Sequence, residues 1–131
     1  EINRGLVGSE MCIRDRYFER MIHHEIFHMI QKSNSKHFDE KKWSALNRKD
    51  FEYAKCSTCS DRLNLDLYKN TEGFLTEYSK SIPSEDMAEV FSFLMTDKAK
   101  VEDKSDNDII LKNKINFIKS SLSKIDSSFK F

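Results

Sequence analysis

Residues 21 to 30, MIHHEIFHMI, place three histidines and a glutamate inside an otherwise apolar run. Burying unpaired imidazoles and a carboxylate is costly, so a fold built on this stretch must bring them partners. From Tyr17 to about Lys32 the apolar positions Phe18, Met21, Ile22, Ile26, Met29 and Ile30 recur at helical spacing, which predicts a helix. On such a helix His24-Glu25-Ile26-Phe27-His28 matches the H-E-x-x-H pattern. Residues four apart share one face, so His24 and His28 can grip a single metal ion. Zinc accepts imidazole nitrogens at about 2.0–2.1 Å, and a catalytic zinc keeps one position open for water. Glu25 projects beside the pair and can reach that water. A shuffled chain of this composition would hold the motif by accident roughly once in 100 trials, so a third ligand is the next requirement. His23 lies about 100° round the helix from His24 and reads as a flanking, partly buried residue. His37 sits in a polar turn and reads as solvated.

The rest of the 131 residues bounds what surrounds this helix. Lys+Arg and Asp+Glu both total 22, which gives no basic excess for nucleic acid. No apolar run reaches the roughly 20 residues of a membrane span. One Pro and three Gly suit a mainly helical chain with one modest core. Residues 6 to 15, LVGSEMCIRD, read as the in-frame translation of a transposon-type sequencing adapter, ten codons long. Residues 1–16 are therefore set aside as an adapter-derived, disordered segment, and residues 17–131 are taken as one partial domain. The natural sequence is expected to start near Tyr17 in mid-protein, so the lack of a signal peptide carries no information. Only Cys56 and Cys59 then remain. A lone C-x-x-C is weak evidence for a second metal site, and a loop disulfide or two free thiols are the simpler readings.

Beyond the first helix, KSNSKHFDE reads as a turn. KKWSALNRKDFEYA reads as a short helix or irregular piece anchored by Trp43, Leu46, Phe51 and Tyr53. Residues 55–72 form a polar loop, and residues 73–82 a connector ending at Pro83. Pro83 suits the first turn of a helix running to about Met95, with Ser84, Glu85 and Asp86 as acidic and capping residues and Met87, Val90, Phe91 and Leu94 as its stripe. DKAKVEDKSDND reads as a solvated linker. A packing helix from about Asp108 to Ile125 follows, with Ile109, Ile110, Ile115, Ile118, Leu122 and Ile125 on its apolar side.

The third ligand is sought in Glu85-Asp86-Met87-Ala88-Glu89. Glu85 and Glu89 are one turn apart, with small Ala88 between them permitting a close approach to the histidine helix. HHEIFHMI followed by GFLTEYSKSIPSEDMAEVF resembles the gluzincin metallopeptidases, in particular their lethal-factor-like and secreted zinc-peptidase branches. In those, an E-x-x-A-E-x-F helix follows the H-E-x-x-H helix by several tens of residues. The resemblance covers roughly residues 17–131. It implies that Glu85 is the third zinc ligand, that Glu89 orients a histidine ligand, and that Tyr78 faces the site as an oxyanion donor. The strand-bearing portion that precedes the histidine helix in the family is absent here.

The fold class so implied is mainly α, the helical part of an α+β zincin-like metallopeptidase domain truncated at its N-terminus. The implied function is zinc-dependent hydrolysis of peptide bonds in a peptide or protein substrate. Zn2+ held by His24, His28 and Glu85 acidifies its water and polarises the scissile carbonyl. Glu25 serves as the general base, and Tyr78 stabilises the oxyanion. The resemblance also favours an extracytoplasmic or secreted setting. The alternatives are a non-catalytic zinc-containing binding module, which needs neither Glu25 nor Tyr78, and a helical interaction domain with a chance motif, which predicts no zinc.

Overall fold

A computed structural model describes residues 4–59 and 72–131, with side chains from Asp15 onward in the first segment. Five α-helices carry the fold: α1 Arg4–Ser33, α2 Glu40–Ser44, α3 Pro83–Thr96, α4 Lys98–Ser105 and α5 Ile109–Ile125. Short 3-10 turns occupy Ser35–His37 and Tyr78–Lys80, and there is no strand among the described residues. The mainly helical class is thus as the composition indicated. None of these helices is long and apolar enough to cross a membrane. Part of the polar loop, residues 60–71, lies outside the described residues.

Local chemistry sets most boundaries. The Asp39 side chain accepts from the backbone N–H of Lys41 and Lys42 at 2.8 and 3.0 Å, capping α2. Asp108 does the same for α5, accepting from Leu111 N–H at 2.9 Å. α3 starts with Pro83 behind an extended Ile82, where the missing proline N–H costs nothing. No side chain caps that helix, and Asp86, read above as part of its cap, is instead fully buried. The backbone helix of α1 begins at Arg4 and runs through residues 6–15, where disorder is expected from the sequence; no proline interrupts it.

α3 is the central element. Its residues Asp86 to Leu94 are buried without exception, so the helix is enclosed on all sides rather than amphipathic. α1 packs along it most extensively, and α2, α4, α5 and the Tyr78–Lys80 turn close the remaining sides. Phe27 is the α1 contribution to the core, with its ring 5.1 Å from Phe38 and 5.3 Å from Phe91. Val101 of α4 and Leu111, Ile115, Ile118 and Leu122 of α5 complete it.

The apolar stripe of α1 points largely outward: Phe18 is 68% exposed and Met29 70%, with Ile22 and Ile26 also exposed. The buried face of α1 carries Arg20, His24 and Phe27 instead, because the acids of α3 meet it there. Contrary to expectation, residues 97–108 are no solvated linker. Their charged residues surround a helical turn that buries Val101 and Ser105 against the core. At the ends of α5, Ile109 and Ile125 are exposed rather than packed.

Candidate metal centre

α1 places His24 and His28 one turn apart, with ring centroids separated by 4.9 Å. Pro83 starts α3 so that Glu85 falls in its first turn, opposite those rings. Glu85 Oε2 is 2.7 Å from His24 Nε2 and 3.1 Å from His28 Nε2, and the two nitrogens are 3.2 Å apart. Tetrahedral ligands about 2.0–2.1 Å from one ion lie about 3.3 Å from each other. The three observed separations fit that triangle after an outward adjustment of a few tenths of an ångström. Two imidazoles and one carboxylate also form the donor set that zinc takes with a fourth position left open. Among the described residues this trio is the group able to hold a metal ion.

The other nitrogen of His24 is held from behind. His24 Nδ1 donates to Glu89 Oε2 at 3.0 Å. Glu89 is fully buried, with Thr76 Oγ1 donating to its Oε1 at 2.9 Å and Arg20 Nη1 lying 3.5 Å from its Oε2. With the Nδ1 proton held by Glu89, the nitrogen that can give up its proton and ligate is Nε2, which faces Glu85 and His28. Arg20 is itself stacked on the Phe93 ring, 4.2 Å from its centroid.

Proton affinities follow from these contacts. Burial alone lowers the pKa of His24, but its bonds to Glu85 and Glu89 outweigh that and raise it to about 9 in the metal-free chain. Burial pushes Glu85 the other way, yet the two histidines overcome it and bring its carboxyl down to about 2. Tyr78 lies beside the centre, its ring 6.0 Å from that of His24. Burial, then the charge of Glu85, with smaller contributions from Glu89 and Glu25, raise its pKa, so the hydroxyl keeps its proton at neutral pH. Glu25, next to His24 on α1, is exposed.

All six residues singled out in the sequence therefore fall in one region. His24, His28 and Glu85 meet at their ligand atoms, Glu89 bonds to His24, the Tyr78 ring lies 6.0 Å from that of His24, and Glu25 follows His24 on α1. Arg20 and Thr76 are additions that sequence reading missed. Arg20 had a signal in its spacing, four residues before His24 on the same face; Thr76 had none. His23 is half-buried against Phe91 and Glu19, away from the trio, as its position on the helix requires. Cys56 and Cys59 are joined in a disulfide across a tight turn.

Facing helices bring two histidines and a glutamate to one point, a group that could hold a metal ion, and the donor set is one that zinc takes. The family described as "Putative zinc-binding metallo-peptidase" matches residues 6–126. The chain belongs to that family, which makes it a zinc-binding metallopeptidase at the level of class. No curated protein and no solved structure matches it.

Proposed function

We propose that this chain is the helical part of a gluzincin-type α+β catalytic domain that hydrolyses peptide bonds in peptide or protein substrates. The observation that carries the reading is the convergence of His24 Nε2, His28 Nε2 and Glu85 Oε2 within 3.2 Å of one another. When bound there, zinc supplies a Lewis acid for the scissile carbonyl and lowers the pKa of water toward neutrality. The chain's own residues perform the remaining work. Glu25, exposed next to His24 on α1, takes the proton of the attacking water and passes it to the leaving amine. Tyr78, protonated at neutral pH, donates to the oxygen that becomes negative, an effect worth about 3 kcal/mol per donor in comparable sites. Glu89 keeps His24 in the ligating tautomer.

The α+β context draws support from the outward stripe of Phe18, Ile22, Ile26 and Met29, an apolar face of the kind a strand-bearing layer covers. The Cys56–Cys59 disulfide supports an oxidising, extracytoplasmic compartment.

The test is elemental analysis of the purified chain beside Glu85→Ala, followed by a Glu25→Gln variant. One zinc per chain, lost in Glu85→Ala, is the expected result. Glu25→Gln keeps the zinc and abolishes release of new amino groups from an unfolded protein substrate. A zinc-loaded Glu25→Gln protein that cleaved as fast as the parent would remove Glu25 from the mechanism. A zinc-loaded parent with no cleavage in the presence of its strand-bearing layer would leave a binding module.

A further inference from the structure

The polar groups that the proposed mechanism leaves unused gather on the flank of α3 that meets α2 and α5, about a quarter-turn from the Glu85 side. Asp86, directly after Glu85, is fully buried, and so is Lys114 of α5. Asp86 Oδ2 accepts from Lys114 Nζ at 2.7 Å, Tyr53 OH at 2.6 Å and Trp43 Nε1 at 3.0 Å. Lys114 Nζ also donates to the Gly73 carbonyl at 2.7 Å and sits 3.8 Å from the centroid of the Phe74 ring. The Gly73 N–H in turn donates to Asp108 Oδ2 at 2.7 Å. Gly73 is thus clasped at both backbone polar groups by α5. Its φ of +89° and the 2.5 Å approach of Ile110 Cγ2 to the place a Cβ would occupy leave room for glycine alone.

The chain leaves this clasp directly toward the metal centre. Thr76, three residues on, holds Glu89, and Tyr78, five residues on, sets its ring 6.0 Å from that of His24. At the other end of the clasp, Asp86 is the neighbour of Glu85 itself. One ammonium therefore ties the segment that brings Tyr78 and Thr76 to the helical turn that brings Glu85. A buried ion pair is poor evidence for a stability role, since an apolar pair of similar size often serves as well. What an apolar pair cannot do is fix two backbone segments to one directional donor. We infer that Lys114, acting through Asp86 and Gly73, is the positioning residue that sets Tyr78 and Glu85 in register around the metal centre. It touches neither metal nor substrate.

This inference rests on the zinc reading above, and its test has one readout that needs zinc and one that does not. The variants are Lys114→Met, the double variant Asp86→Asn/Lys114→Met, which leaves no lone buried charge if the single change prevents folding, and Leu122→Ala as a control that destabilises the far end of the core. Zinc affinity is measured by chelator competition, and the Tyr78 and His24 ring resonances are followed by NMR in the metal-free chain. The expected result is a loss of zinc affinity of about tenfold or more in the Lys114 variants, the scale seen when supporting residues of a metal site are removed. Their Tyr78 and His24 resonances shift, while Leu122→Ala leaves both readouts near the parent at comparable loss of melting temperature. Parent-like affinity and ring resonances in a folded Lys114 variant, or equal changes in Leu122→Ala, would overturn the inference. A parent that takes up no zinc would sink the zinc reading instead, with the ring resonances still deciding the role of Lys114.

Discussion

His24 has a carboxylate at each ring nitrogen, Glu85 at Nε2 and Glu89 at Nδ1, and this holds its proton up to about pH 9 in the metal-free chain. Zinc must displace that proton from Nε2, so proton and metal compete for one atom. Because the folded pKa is raised above its ordinary value, the competition favours the proton throughout the neutral range and fades as pH rises through 9. Zinc affinity should therefore climb by about tenfold per pH unit between pH 6 and 8 for this one proton. Competition titrations at three pH values check it, and a flat profile would mean that His24 is not a ligand. The same shifts fix the metal-free stability. The His24 contribution is complete below about pH 6.5 and is lost as pH rises through about 9. The Glu85 contribution is complete above about pH 4.5 and is lost as pH falls through about 2.

At the scale of the element, α1 turns its apolar stripe of Phe18, Ile22, Ile26 and Met29 outward, and α3 covers the face that carries Arg20, His24 and Phe27. Phe27 is wholly enclosed by Phe38 and Phe91, whereas Phe18 is 68% exposed. Phe27→Ala should cost about 3–5 kcal/mol, the range for deleting an enclosed aromatic ring. Phe18→Ser in the same chain should stay within about 0.5 kcal/mol. Urea unfolding of the two variants makes the comparison, and equal losses would contradict the assignment of faces. α5 carries its own distinction. It is the packing helix that its isoleucines indicate, and through Lys114 and Asp108 it also reaches the Gly73 turn.

For the whole molecule, the centre joins α1 to α3 and, through Tyr78 and Thr76, to the segment before α3, so an ion bound there would tie these three parts together. Zinc at 100 times its dissociation constant should stabilise the chain by about 2.7 kcal/mol. That corresponds to a rise in melting temperature of about 10 °C for a domain of this size. Calorimetry with zinc and with EDTA measures it, and coincident transitions would argue against a site within the cooperative fold. Much of this was legible in the sequence. The pattern His24-Glu25-x-x-His28, Pro83 at a helix start and the Glu85–Glu89 spacing are local signals, because spacing along a helix is fixed by the backbone itself. So the sequence by pattern indicated a mainly helical chain and pointed to His24, His28 and Glu85, whose ligand atoms the fold brings together. Only the tertiary structure decided which side of α1 faces inward, that residues 98–105 coil into a helix over the core, and that Arg20, Thr76, Asp86 and Lys114 are buried as partners. Those outcomes depend on which surface arrives from elsewhere in the chain: a buried charge is tolerated only where its counterpart is delivered, and periodicity along one helix carries no record of what another helix will bring.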